Sequence, residues 1–170
     1  MDKIEKLLSI GDLRTAGKSE EVIKLVFTNP ELFENVVKAI LSRNPGTRMR
    51  ASDAVDRITI DHPEWLGPFK KLFLSKIIEI DQKEVKWHVA QRFPRFRLTE
   101  KEYEKVFHLM LGYLDDKSQI VKTFAMQALT DIAKQDTSYI TKSAGNSKKS
   151  NGKWRAISKI AWQKTFSNIR

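Results

Sequence analysis

The sequence contains no cysteine, which excludes a disulfide framework, a thiolate nucleophile and a cysteine-bound metal. It also lacks any apolar run approaching the roughly 18 residues that a transmembrane helix needs. The first residues, MDKIEKLLSIGD, are charged, and their apolar run is too short for a secretory signal peptide. These absences predict a cytoplasmic protein that does not span a membrane.

Acidic residues are missing from Thr141 to the C-terminus, although this stretch holds eight lysines and arginines. The whole chain has 31 basic and 21 acidic residues, a net charge of +10. Residues 1–140 therefore carry 23 bases against the same 21 acids, a net charge of +2. The basic character belongs to the C-terminal tail and not to the body of the protein.

Sequence motifs for catalysis and cofactor binding are also absent. There is no glycine-rich phosphate loop and no serine nucleophile elbow. The three histidines, His62, His88 and His108, do not share the spacing of a metal site. We therefore expect no enzyme activity, no cofactor, no bound metal and no small-molecule substrate.

A segment of twelve residues occurs three times in the chain. It reads TRMRASDAVDRI from Thr47, VKWHVAQRFPRF from Val85 and VKTFAMQALTDI from Val121. Each copy begins with a β-branched residue and a base, and small or apolar residues fill positions five, nine and twelve. The copies start 38 and 36 residues apart. A period of this length indicates stacked supersecondary units.

Apolar residues at helical spacing precede each copy, so each repeat is expected to be an antiparallel helix pair. The sequence predicts an all-α fold, specifically an α-α superhelix of about three helix pairs with terminal capping helices. We expect one domain over residues 1–170. Its predicted parts are an N-terminal helical cap (1–30), repeat units (31–62, 63–97 and 98–136), a polar linker (137–152) and a basic C-terminal capping helix (153–170).

Three local signals refine these helices. Gly67-Pro68 predicts a late start or a bend in the first helix of the second unit. Pro94 removes a backbone donor, so the second helix of that unit should stop or kink near Phe93. Thr99 followed by Glu102 predicts a capping box at the start of the third unit.

The third segment follows the pattern Val-Arg/Lys-x-x-Ala-x-x-Ala-Leu-x-x-Ile and in this resembles HEAT repeats. The first segment is close to the pattern, and the second departs from it at Arg92 and Pro94. Residues 20–135 are also similar to short bacterial HEAT-repeat proteins. The resemblance implies an armadillo-like solenoid in which a turn aspartate pairs with the basic second residue of the segment. The pairs expected on this basis are Asp116 with Lys122 and Asp81 with Lys86.

In HEAT stacks the second helices line a concave surface on which partners bind. The resemblance therefore implies a groove lined by positions three, four, seven and eleven of the segments. The candidate residues are Arg50, Asp53, Arg57, Trp87, His88, Gln91, Arg95, Phe124 and Gln127. Tryptophan and arginine are frequent anchors of binding energy. The alternative is a solvated helix face, with Trp87 packed against the neighbouring unit.

The basic tail has three interpretations. Its bases form the solvent-exposed face of a capping helix, or they bind nucleic acid, with Trp154 and Trp162 available for stacking. In the third interpretation the tail is a helix that lies on an anionic membrane surface. Its candidate binding residues are Lys148, Lys149, Lys153, Arg155 and Lys159.

The function predicted from these features is a non-catalytic scaffold that binds a protein or peptide along the concave surface. The alternative is a nucleic-acid-binding protein that uses the basic tail with Arg50, Arg57 and Arg95. Some DNA alkylation-repair glycosylases are HEAT-like solenoids that use aromatic residues, arginines and an aspartate, and Asp53 and Trp87 would fit by residue type. No motif matches them, and the near-neutral body disfavours duplex binding, which depends on phosphate neutralisation.

Overall fold

The computed structural model describes residues 2–135, and every regular element in that range is helical. This confirms the predicted all-α class. The chain divides into two compact units, Met1–Arg97 and Leu98–Arg170, at the boundary predicted between the second and third repeats. The one-domain organisation stays a prediction. The predicted linker and C-terminal helix lie outside the described residues.

The first unit consists of consecutive helix pairs. The first helices of the three pairs are α1 (Lys3–Ser9), α3 (Phe33–Ala39) and α5 (Lys70–Phe73). The second helices, in the same order, are α2 (Ser19–Thr28), α4 (Pro45–Asp61) and α6 (Lys83–Arg92). Helix α4 packs against both α2 and α6, and α1 packs against α3. Residues 1–30, predicted as a cap, thus form a helix pair that stacks like those after it.

Contacts between neighbouring second helices join residues about one repeat apart. Arg57 reaches Glu20, 37 residues earlier, and Arg95 reaches Thr59, 36 residues earlier. The second helices of the first unit therefore run in the same direction with equivalent positions facing each other. This is the arrangement that the 38-residue spacing of Thr47 and Val85 predicts.

Apolar side chains at helical spacing form the core of the first unit. Each second helix turns two β-branched aliphatic side chains fully inward, and each such side chain stabilises the fold by roughly 1.5–3 kcal/mol relative to an exposed one. These fully buried pairs are Val22 and Val26 in α2, Val55 and Ile58 in α4, and Val85 and Val89 in α6.

Pro68 and Pro94 interrupt the helices of the second repeat to different degrees. Helix α6 ends at Arg92 and continues as a 3-10 turn over Phe93–Arg95, as predicted from Pro94. The first helix of this repeat is more broken than predicted. It consists of a 3-10 segment over Pro63–Phe69, the four residues of α5 and a 3-10 turn over Ile77–Glu79. Pro68 lies inside the first segment, where it cannot donate a backbone hydrogen bond.

The second unit contains α7 (Glu100–Tyr113) and α8 (Gln119–Gln135), which pack against each other. Helix α7 begins with the predicted capping box. The Thr99 N–H donates to Glu102 Oε2 (2.8 Å), and the Glu102 N–H donates to Thr99 Oγ1 (3.4 Å). Val106 of α7 and Ala125 of α8 lie among the buried side chains of this unit.

Polar contacts in the turns hold the starts of the second helices. Lys86 pairs with Asp81 at 2.5 Å, as the HEAT resemblance implied. Where the first repeat lacks a turn acid, Arg48 Nε donates to Gln82 Oε1 at 2.7 Å and so links the start of α4 to the start of α6. In the third repeat the Asp116 carboxylate accepts the Ser118 N–H at 2.8 Å.

Candidate binding surface

Arg50, predicted to face a groove, is 1% exposed, so that prediction is wrong. Its guanidinium points from α4 into the loop between α1 and α2. There it donates to backbone carbonyls at distances of 2.6–3.3 Å, and burial lowers its pKa. The acceptors are the carbonyls of Leu8, Gly11, Asp12 and Thr15. Arg50 is therefore a structural clamp on this loop.

A buried polar seam joins α4 to α6, and we define it as Asp56, Arg92 and Arg95. Arg95 Nη2 lies 3.0 Å from Asp56 Oδ1, and Arg95 Nη1 donates to the Asp56 carbonyl at 3.0 Å. Arg92 is 0% exposed, with its Nε 4.0 Å from the same Asp56 oxygen. Arg95 is thus committed to an internal ion pair and is not an open groove residue.

Arg92 occupies the position that alanine holds in the other two segments. Its Nη2 donates to the Ser52 carbonyl, and its guanidinium carbon lies 5.7 Å from the ring centre of Phe73. Burial lowers the pKa of Arg92 to about 10, so the group stays charged at neutral pH. A buried cation of this kind requires Asp56 as its counter-charge.

On α4 Arg57 is exposed and Asp53 is half-buried, and their predicted place in a concave groove stays a prediction. Arg57 Nη2 is 2.6 Å from Glu20 Oε2 on α2, and its Nη1 is 3.9 Å from Asp53 Oδ2. The hydrogen bond from Arg57 lowers the pKa of Glu20, whereas burial raises the pKa of Asp53. Both arginines at position eleven, Arg57 and Arg95, therefore tie their helix to the preceding second helix.

His88 was predicted to face the groove, and this is wrong because the residue is 2% exposed. Its ring stacks on the half-buried Trp87, with 3.6 Å between ring centres. Burial, and next the positive charge of Arg92, lowers the pKa of His88 to about 2. Gln91 lies one turn further along α6 and is half-buried.

The buried His88 makes the stability of the first unit dependent on pH. The unfolded chain takes up a proton near the ordinary pKa of 6.5, whereas the folded chain takes it up only near pH 2. Acidification below pH 6.5 therefore favours unfolding, by about 1.4 kcal/mol per pH unit. We expect urea unfolding to show roughly 2 kcal/mol lower stability at pH 5 than at pH 6.5. A His88→Gln variant should lose most of this slope, and an unchanged slope would contradict the assignment.

The remaining predicted residues lie in the second unit or in the tail. Phe124 is half-buried on α8. Gln127 is exposed, and its Nε2 donates to both carboxylate oxygens of Asp131 at 2.9 Å. The tail residues Lys148, Lys149, Lys153, Arg155 and Lys159 lie outside the described part of the chain.

A group of exposed and half-buried apolar and aromatic side chains, which the repeat pattern did not predict, lies at and just after the C-terminal ends of α2 and α4. We call it the aromatic end and define it as Phe27, Ile60, His62 and Trp65. Phe27 and Ile60 are 42% and 63% exposed. The His62 ring stacks on Trp65 at 4.4 Å and lies 5.9 Å from Phe27. The sequence does contain a signal for the exposure of Ile60, because this residue falls outside the row of inward-facing apolar residues of α4 that ends at Ile58.

A cavity of about 600 Å³ opens between the 3-10 segment at Pro63–Phe69 and the end of α6. Its wall combines cationic side chains with an aromatic ring and one acidic side chain. The lining includes Glu64, Gly67, Lys70, Arg95, Phe96 and Arg97. Its volume is within the range of ligand-binding pockets.

Within residues 2–135, no group of three or more histidine, aspartate and glutamate side chains is arranged to hold a metal ion. No helix in this part of the chain is long and apolar enough to cross a membrane. Comparison of the sequence with protein families and curated proteins, and of the fold with solved structures, finds no match. The HEAT relationship accordingly stays a prediction.

Proposed function

We propose that this chain is a non-catalytic, cytoplasmic HEAT-like scaffold that binds a protein partner through the aromatic end. The proposal rests on Ile60, a large aliphatic side chain that is 63% exposed and precedes by two residues the His62 ring, which stacks on Trp65. Rigid aromatic rings next to exposed aliphatic groups bury much apolar area at little entropic cost. Such residues are enriched at the centres of protein–protein interfaces.

The internal contacts of the arginines favour a protein partner over nucleic acid. Arg50 is bound to carbonyls, Arg57 to Glu20 and Arg95 to Asp56. Neutralising phosphates with these groups would require breaking contacts that hold the helices together. The nucleic-acid alternative then depends on the basic tail, and it predicts duplex binding that weakens by orders of magnitude between 50 and 200 mM salt.

The proposal is tested with an Ile60→Asp variant. Because Ile60 is largely exposed, this change should alter the free energy of unfolding by only about 0.5 kcal/mol. It should remove the partner, because it places a charge in the apolar centre of the interface. We expect quantitative mass spectrometry to show a protein captured from an extract of the source organism by the wild-type chain and depleted at least tenfold with the variant.

The matched control is Ile120→Asp, which introduces the same charge at a 43% exposed isoleucine in the second unit. The control should retain the partner. Calorimetry with the purified partner should then give a Kd at least tenfold weaker for Ile60→Asp, about 1.4 kcal/mol. Equal capture by all three chains would refute the role of the aromatic end.

A further inference from the structure

The cavity beside the aromatic end carries one cationic side chain that the fold does not use. Arg95 is paired with Asp56, and Lys70 Nζ donates to the Arg97 carbonyl at 3.0 Å. The side chain of Arg97 is exposed and forms no ion pair with any described residue. Arg97 lines the cavity, and its exposed side chain is therefore available to a ligand.

The charges at the cavity nearly balance. Lys70, Arg95 and Arg97 on the wall and the buried Arg92 behind Arg95 supply four cations. Glu64 on the wall supplies one carboxylate, and Asp56 and Asp53, whose charges both act on Arg92, supply two more. One positive charge remains. A singly charged anion would neutralise it, whereas a phosphate group, with a charge near −2, would overcompensate it and would be repelled by Glu64 about twice as strongly.

We propose that this cavity binds the side-chain carboxylate of an acidic residue on the protein partner, with Arg97 as its main contact. A guanidinium presents two parallel N–H donors that match the two oxygens of a carboxylate. Phe96 and the backbone at Gly67 supply an apolar wall against which the aliphatic part of the acidic side chain packs. The source of the carboxylate rests on the proposed function, since the aromatic end would hold the same partner.

The test uses the full chain labelled with ¹⁵N and titrated with the dipeptide N-acetyl-Phe-Glu-amide. We expect saturable shifts of the Gly67, Lys70 and Arg97 amide signals, with a Kd on the order of 1 mM. The neutral dipeptide N-acetyl-Phe-Gln-amide should bind at least tenfold more weakly. Inorganic phosphate at the same concentrations should also bind more weakly than the acidic dipeptide.

Two variants locate the binding. Gly67→Leu adds a side chain at the cavity wall, where a Cβ at Gly67 would meet no heavy atom within 4 Å. Arg97→Gln removes the unpaired cation and leaves the cavity open. Each should weaken binding of the acidic dipeptide at least tenfold. Arg43→Gln, which removes an exposed arginine elsewhere, and Gly112→Ala, also in open space, are the matched controls and should bind normally.

Equal binding of the acidic and neutral dipeptides, or unchanged binding by Arg97→Gln, would overturn the carboxylate site. Tighter binding of phosphate than of the acidic dipeptide would also overturn it. These results are independent of the capture experiment with Ile60→Asp. A failed titration with successful capture removes only the cavity, and the reverse outcome removes only the proposed function.

Discussion

Replacing Asp56 with alanine should lower the free energy of unfolding by about 3–5 kcal/mol, because it leaves the fully buried Arg92 without its counter-charge. Arg95 also loses the carboxylate 3.0 Å from its Nη2, so two cations would face each other across the seam. Helix α6 would then lose its main polar tie to α4. Urea unfolding at pH 7 measures the change.

The control for this prediction is Arg92→Met, which removes the buried cation and keeps most of the side-chain volume. Replacing a buried charge with an apolar group of similar size is often neutral, so we expect a change of about 1 kcal/mol or less. In the Arg92→Met background, Asp56→Ala should cost at least about 1 kcal/mol less than it does alone. An equal cost in both backgrounds would show that Arg92 does not depend on Asp56.

Replacing Arg50 with alanine should cost about 2–4 kcal/mol. The guanidinium bridges four carbonyls, of which only the bond to the Leu8 carbonyl is fully buried. A charged hydrogen bond of this kind contributes about 1.5–3 kcal/mol, and the three part-buried bonds contribute less. The loop it holds includes Gly11 and Gly17, both at positive φ, and therefore has little regular structure of its own. We expect faster amide hydrogen exchange over residues 8–17, together with the lower stability.

Arg50→Lys is the matched control for the loop clamp. Lysine keeps the charge, but its single ammonium group cannot reach carbonyls spread around a planar guanidinium. This variant should therefore recover less than half of the lost stability. A fully stable lysine variant would mean that charge alone, and not the fork of donors, holds the loop.

The sequence predicted the features that depend on local chemistry. Pro94 ends α6 for a steric reason that acts within one helical turn. Thr99 and Glu102, three residues apart, form the capping box of α7. The spacing of the segments also predicted which second helices pack together, because equivalent positions of a repeat must face each other. Such features need no knowledge of tertiary packing.

The side chains that were misplaced are polar groups whose burial depends on distant partners. Arg50 and His88 share position four, where helical spacing gives a direction but not the depth of packing. Arg50 is buried only because a loop about 40 residues earlier presents its carbonyls. For Arg92 a signal existed, since Ala54 and Ala128 at the same position indicate close packing, which an arginine can enter only with a buried counter-charge.

We propose two separate roles for α4, an internal tie at Arg57 and a partner-binding surface at Ile60. The most direct test compares the affinities of Arg57→Gln and Ile60→Asp for the purified partner, after circular dichroism has shown both variants folded. We predict a Kd within twofold of wild type for Arg57→Gln and at least tenfold weaker for Ile60→Asp. A loss of affinity in Arg57→Gln with full affinity in Ile60→Asp would contradict the claim and return the binding surface to the row of groove residues.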